Sequence, residues 1–324
     1  MAAAVTRDWP VLAPTGTWIL PPRPLTVGVV VTAHNVAPFL PAALASVFAQ
    51  TRLPDEVVVC DDASDDDVAG AVAPFAERIR LVRRQEQGGE GAAKNTAIRA
   101  SRADLVIILD GDDEMAPERV EALAWLAERR PDLHLMTTTW EDFGPAAEGS
   151  DWSLDLHFPV ADQRREILRW NFLPAPAIRR QQFLEAGGFD EDLRYGPDWE
   201  CYVRMFLHGA AAGLVPLPLY RYRRWGGQQT ADTERVLAGR ERVARLIAAN
   251  ERLDPRDREV AARTLVDAAF AHWMWRLQHG RALPAEARSL LRHGSLSARR
   301  RAVLRLAALS PSLARRLLLR PTGG

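Results

Sequence analysis

Three aspartates fall within four positions of the stretch VIILDGDDEMAPERV, residues 106–120. Asp110, Asp112 and Asp113 stand directly behind Val106, Ile107, Ile108 and Leu109, a run that reads as a buried strand. Carboxylates this close repel, and an apolar surrounding adds a desolvation cost to each charge. A hard divalent cation bound through oxygen relieves both, and such a cluster suits Mg2+ or Mn2+. Asp113 could instead cap the helix that Pro117 announces, but Asp110 and Asp112 cannot both do so. A bare Asp-x-Asp triplet is common, so its context decides.

A second acidic pair, Asp61 and Asp62, follows the apolar run EVVVC, with helix capping as the alternative reading. The segment GGEGAAKNT, 88–96, puts glycines before a helix start with Lys94 one turn in. Backbone N–H groups and the helix dipole there make an anion site. It is not a Walker A loop, because Ala93 stands where a glycine would precede the lysine, and it is not a GxGxxG fingerprint. A cation with phosphates nearby, at the ends of parallel strands, points to a nucleoside diphosphate.

These residues need a frame. Apolar, β-branched runs at 26–33, 56–62, 78–82, 104–109 and 133–138 predict strands; 38–51, 66–77, 91–101 and 117–129 predict helices. The alternation predicts an α/β fold with a mainly parallel sheet covered by helices on both faces. Ligands of such sheets sit beyond the carboxyl ends of the strands, where both acidic clusters fall. Residues 140–174 read as irregular with one helix near 162–169; 196–209 predicts a helix and 214–224 an extended segment. From 232 to 319 the pattern is helical. Residues 1–24, ending at PPRPL (21–25), read as a loosely held arm, and a boundary falls near 230.

Composition sets bounds. Of 324 residues, 47% are hydrophobic and 26% charged, as in a soluble globular protein. The zero net charge is uneven: ten Arg against one Glu in 281–324 give +9 there and −9 elsewhere. No signal peptide and no spanning helix are expected. Cys60 and Cys201 are too few for a disulfide framework and read as inert core residues in a reducing compartment. His272 and His279 lack partners at zinc-ligand spacing.

Five blocks in order carry a resemblance: VGVVVTAHNVAPFLPAALASVFAQT, EVVVCDDASDDD, GGEGAAKNTAIRASRADLVIILDGDDEMAPERV, IRRQQFLEAGGFDEDL and GPDWECYVRMFLHG. The chain from about 25 to 230 resembles a family 2 glycosyltransferase with the Rossmann-like GT-A fold. The resemblance implies a nucleotide-sugar-binding half at 25–138 and an acceptor half at 139–230; residues 231–324 lie outside it and read from their pattern as a C-terminal helical appendage. It implies that Thr32 and His34 lie beside the nucleotide base and that Asp62 bonds the uracil ring. Lys94 stands where the family usually has arginine. Asp110 would face the ribose, and Asp112, five residues before Pro117, would hold the metal alongside Asp110. Asp198 in GPDWE matches the catalytic base, with Pro197 where the family often has Glu. Its alternative is an acid favoured by a helix N-terminus.

LYRYRRWGGQQT, 219–230, resembles the family's late basic segment closing over the donor, against the alternative of a solvated edge strand. Trp199, Arg224 and Trp225 are the acceptor candidates, with core packing the alternative for each tryptophan.

The implied activity is metal-dependent, inverting transfer from a nucleotide sugar, most simply a UDP-sugar, to a glycan, glycolipid or small-molecule acceptor in bacterial polysaccharide, glycolipid or metabolite glycosylation. The rivals are a nucleotidyltransferase, for which TAHNVAPF lacks the early glycine loop, and a degenerate donor-binding subunit, against which Asp112 and Asp198 together argue. A cytoplasmic place is expected, without a nucleic-acid partner. The arginine- and leucine-rich tail reads as helices packed on the catalytic domain, with peripheral contact with an anionic membrane as the alternative.

Overall fold

The computed structural model describes residues 8–147, 157–228, 232–281, 297–310 and 314. The chain divides into two compact units, Met1–Gly226 and Gly227–Gly324.

The first unit is built on a sheet of eight described strands: β1 (Val27–Ala33), β2 (Glu56–Asp61), β3 (Arg80–Arg83), β4 (Leu105–Asp110), β5 (Glu114–Met115), β6 (Leu135–Phe143), β7 (Ala177–Arg179) and β8 (Ala212–Arg223). Their order is β3-β2-β1-β4-β7-β6-β8-β5. The pairs among β1 to β4 are parallel, as is β6 with β8. Strand β7 pairs antiparallel with both β4 and β6, and β5 antiparallel with β8.

Strand periodicity explains how both faces are covered. Val27, Val29 and Val31 join one core with Leu40, Leu44 and Val47 of α1 (Leu40–Phe48) and with Leu123 and Leu126 of α4 (Arg119–Arg129). Val30, Val58 and Ile108 point the other way and are buried just as fully. On that side α3 (Glu90–Ala100) packs on β1 and β2. Between α1 and α3 the helix expected at 66–77 is shorter: α2 (Val68–Val72) gives way at Pro74 to a 3-10 turn, Ala73–Phe75. Later come α5 (Gln163–Glu166), α6 (Arg180–Glu185) and α7 (Pro197–Leu207).

Two expectations need correction. Strand β7 went unread, since three residues carry no periodicity. Nor is the arm before β1 loose from Asp8 onward. Trp9 is buried, Leu12 forms an antiparallel bridge with Leu214, and the Pro14 carbonyl accepts from Arg130 at 2.9 Å. The β6–β8 register slips after Thr138, which pairs with Val215 while Thr139 pairs with Pro218. Pro216 and Pro218 lack the N–H that an unbroken ladder would use, so they settle at the irregularity.

The second unit holds α8 (Thr233–Ala248), α9 (Pro255–Gln278) and α10 (Ala298–Leu309) among its described residues. Asp232 caps α8, Asp254 and Asp257 form a capping box on α9, and Ser297 caps α10. Val266, Ala269, Trp273 and Leu304 pack together. His272 Nδ1 lies 2.7 Å from Glu241 Oε2, which makes it a paired interior residue. No helix among the described residues is long and apolar enough to cross a membrane.

Candidate active site

The carboxyl ends of β1, β2 and β4 lie side by side, because Thr32 is in register with both Cys60 and Asp110. The three aspartates of 110–113 then separate. Asp113 turns inward, 1% exposed, where its Oδ2 accepts from the Tyr220 hydroxyl and its Oδ1 from Arg223 N at 2.7 Å. Burial, and after it the charges of Asp112 and Asp110, push its carboxyl well above the usual range. Asp113 therefore ties β8 to the β4–β5 turn and is neither a helix cap nor a ligand.

Asp110 and Asp112 remain at the strand end. Asp110 Oδ1 is 3.0 Å from Lys94 Nζ and accepts from Thr32 Oγ1 at 3.3 Å. Lys94 Nζ also bonds Glu90 Oε1 at 2.5 Å. Burial works against the Lys94 charge, but Asp110 and Glu90 overcome it and raise the ammonium's pKa. Asp112 Oδ2 accepts from Trp225 Nε1 at 2.8 Å, and its carbonyl accepts from Arg223 Nε at 2.7 Å. Burial pushes the Asp112 carboxyl up, and the Trp225 bond partly offsets it.

The glycine loop departs from expectation. Its leading N–H groups do bind an anion, but the anion is internal. Gly88 N and Gly89 N donate to Asp62 at 2.9 and 2.7 Å, and Arg84 Nε sits 2.8 Å from the same carboxylate. Asp62 is 2% exposed, so it shapes the loop and does not itself present to a base. Lys94, 5% exposed, likewise turns to Glu90 and Asp110, not to an open phosphate site. Asp62→Ala should cost about 1–3 kcal/mol of unfolding free energy by denaturant titration, because it removes the acceptor of two backbone N–H groups and the ion-pair partner of Arg84, which keeps its bond to Thr96. An unchanged midpoint would contradict this account.

His34 bridges the loops. Its Nδ1 lies 3.0 Å from the Asp62 carbonyl and its Nε2 2.9 Å from the Gln87 amide nitrogen. A neutral ring protonated at Nδ1 donates to the first and accepts from the second. Asp61 holds the turn, accepting from Ser64 N at 2.9 Å and pairing with Arg83 at 2.8 Å.

Asp198 reaches this group from the start of α7. Gly196 takes φ 67 at the cap and Pro197 opens the helix. Asp198 Oδ1 accepts from Trp199 N and Oδ2 from Asn171 Nδ2, each at 2.8 Å. Asn171 is itself set by Leu173 N, which donates to its Oδ1 at 3.0 Å. Burial, then the Glu90 charge, push the Asp198 carboxyl up to about 6 against the opposing pull of Lys94. Strand-end carboxylates and the expected base thus share one electrostatic neighbourhood, centred on Lys94.

The acceptor candidates scatter. Trp199 is buried and donates its indole N–H to the Ile167 carbonyl at 2.7 Å, so it is a core residue with no face for a sugar. Trp225 belongs with Asp112 at the β4 end, its ring 4.9 Å from Phe39. Arg224 pairs with Asp142 at 3.0 Å, while Arg221 and Arg223 both reach Glu114 at 2.7 Å. Arg223 lies in the basic segment 219–230 that resembles the family's donor-closing segment, whereas Glu90 and Asn171 carried no assignment from the sequence. Of those two, only Glu90 had a legible signal, its i,i+4 spacing to Lys94.

Both the sequence and the fold have known relatives. The model of glycosyl transferase family 2 matches residues 28–186. The succinoglycan biosynthesis protein ExoU of Rhizobium meliloti is 30% identical over 59% of this chain and 60% of its own. The chain spans about three fifths of the length of the first curated relatives it matches. Staphylococcal (S. aureus) TarS in complex with UDP-GlcNAc superposes with TM-score 0.64 at 18% identity, covering 90% of each chain. The mannosyltransferase PcManGT of Pyrobaculum calidifontis, in complex with GDP-Man and Mn2+, superposes with TM-score 0.58 at 20% identity, covering 98% of this chain and 92% of its own. Residues 28–186 belong to glycosyl transferase family 2 and lie on a GT-A-like fold.

Proposed function

We propose that this protein transfers a sugar, with inversion, from a nucleoside diphosphate donor to an acceptor hydroxyl, with Asp198 as the base. The observation that carries the reading is the convergence of Asp110, Lys94 and Asp198 from three separate elements. Asp198 would take the acceptor proton while the hydroxyl attacks the anomeric carbon from the face opposite the leaving group. Asn171 holds the carboxylate in place from behind.

A divalent cation fits the donor set. Asp110 and Asp112 each keep one oxygen that accepts no hydrogen bond from another described residue. No group of three or more His, Cys or acidic side chains suited to a metal occurs among the described residues. Mg2+ or Mn2+ is commonly held by one or two carboxylates completed by substrate phosphates, which this pair can supply. When bound, such an ion would offset charge on the leaving diphosphate.

A UDP-sugar is the donor we favour, supported by the UDP-GlcNAc bound to TarS. The succinoglycan relative supports a bacterial polysaccharide or glycolipid acceptor. Screening nucleotide sugars by thermal shift with Mn2+ tests the reading, because a ligand that binds only the folded state raises Tm. A UDP-sugar should give the largest shift, and no shift from any nucleotide sugar would refute the reading.

We place the protein in the cytoplasm, with the +9 tail of 281–324 touching the anionic inner face of the membrane. It should float with phosphatidylglycerol vesicles at low salt and be released at high salt, where charges are screened within a few ångströms. Flotation with neutral vesicles, or none at all, would contradict a charge-driven contact.

A further inference from the structure

We propose that Glu90 is a positioning residue of the transfer site, holding the Lys94 ammonium against Asp110 and away from Asp198. This rests on the reading of Asp198 as the base and assigns a task to a residue on another helix. Lys94 Nζ is 2.5 Å from Glu90 Oε1 and 3.0 Å from Asp110 Oδ1, and no ion pair joins it to Asp198. A lysine this buried has no access to water as an alternative partner, so the neighbouring carboxylates decide where its charge sits.

Glu90 is suited to be the anchor. It lies one helical turn before Lys94 on α3, the spacing at which side chains meet. It is the first residue of that helix, where the dipole favours a negative charge. The starts of α3 and α7 are in contact: a Cβ added at Gly91 would stand 3.2 Å from Pro197 Cβ. Asp198 is the next residue, so the ammonium's alternative resting place is close.

The groups around Asp198 are few. Glu90 and Lys94 reach it from α3, Asp110 from the end of β4, and Asn171 from the segment before β7. Cys201 and Tyr202 follow on its own helix. Lys94 is the cation among these groups. Released from Glu90, it would have Asp110 and Asp198 left to pair with. A direct pair with Asp198 would stabilise the carboxylate charge and make it a poorer proton acceptor. Glu90 thus preserves the base by occupying its competitor.

The test is a double-mutant cycle with Glu90→Gln, Lys94→Met and both together, in the full chain. Transfer kinetics are read beside UDP binding with Mn2+ by calorimetry. Glu90→Gln should lower kcat roughly 10- to 100-fold and leave the UDP Kd within about threefold, the pattern of a loss confined to the transition state. Its effect should shrink in the Lys94→Met background to what the direct charge of Glu90 on Asp198 supplies, because the larger part runs through that ammonium. Glu90→Asp keeps the charge and should recover most of the activity that Gln loses, which keeps the test readable if Lys94→Met folds poorly. Wild-type kcat in Glu90→Gln, an equal effect with and without Lys94, or a Kd loss matching the kcat loss would overturn the proposal. Failure of the underlying reading looks different: Asp198→Asn would then transfer sugar at the wild-type rate.

Discussion

Replacing Asp198 with Asn should cut sugar transfer by roughly 10²- to 10⁴-fold, the usual worth of a positioned general base, while donor binding persists. The substitution preserves shape. An amide oxygen can still accept from Trp199 N or from Asn171 Nδ2, each now 2.8 Å from the carboxylate. What it removes is the capacity to take a proton. The pH dependence follows from the carboxyl's raised position near 6, set first by burial and then by Glu90. The base works only when ionised, so kcat/KM in the wild type should fall as pH drops through about 6 and level off above it. The residual activity of the Asn variant should lack that acid limb. Transfer near the wild-type rate would place the base elsewhere. Asp192 and Glu200 would be examined next, although Glu200 is already paired with Arg204 at 2.7 Å.

Asp112→Asn should abolish Mn2+-dependent UDP binding with the fold intact. Asparagine's amide oxygen can still accept the Trp225 N–H that now lies 2.8 Å from Asp112 Oδ2, and Arg223 bonds the backbone carbonyl, which does not change. The loss is one negative charge at a site where Asp110 already shares its own with Lys94. Only two carboxylates stand at this strand end once Asp113 has turned inward, so halving the acidic set should remove most cation affinity. Calorimetry of UDP with and without Mn2+ reads this directly, and the wild-type rise in Tm with UDP and Mn2+ should be missing from the variant. An unchanged Mn2+-dependent affinity would show that the cation, if used, is held by other groups.

Much of the frame was legible because it rests on local repetition. Val27–Val31, Val57–Val59 and Leu105–Leu109 are apolar and mostly β-branched, and the stretches between them repeat at helical spacing. Periodicity over a few residues is all that a strand or helix needs to declare itself. The same holds for carboxylates placed directly behind a strand, since the end of a parallel strand is where a ligand can approach.

The division of labour among those carboxylates was not local. Asp112 and Asp113 are neighbours of one type, yet one meets Trp225 and the other Tyr220 and Arg223, all over 100 residues away. Which of them faces the site depends on where β8 passes. Asp62 and the glycines of 88–89 were each legible as anion chemistry, but only the fold turns them toward each other and so satisfies them internally. Glu90 and Lys94 could be paired from their spacing; that Asp110 and Asp198 stand around the same ammonium could not. The sequence by itself determined which segments become strands and helices and which of them end in charge, because those follow from neighbours along the chain. The tertiary structure alone decided which charges meet, because a buried ion's partners are set by the packing of elements far apart in the chain, and burial makes that choice of partner decisive.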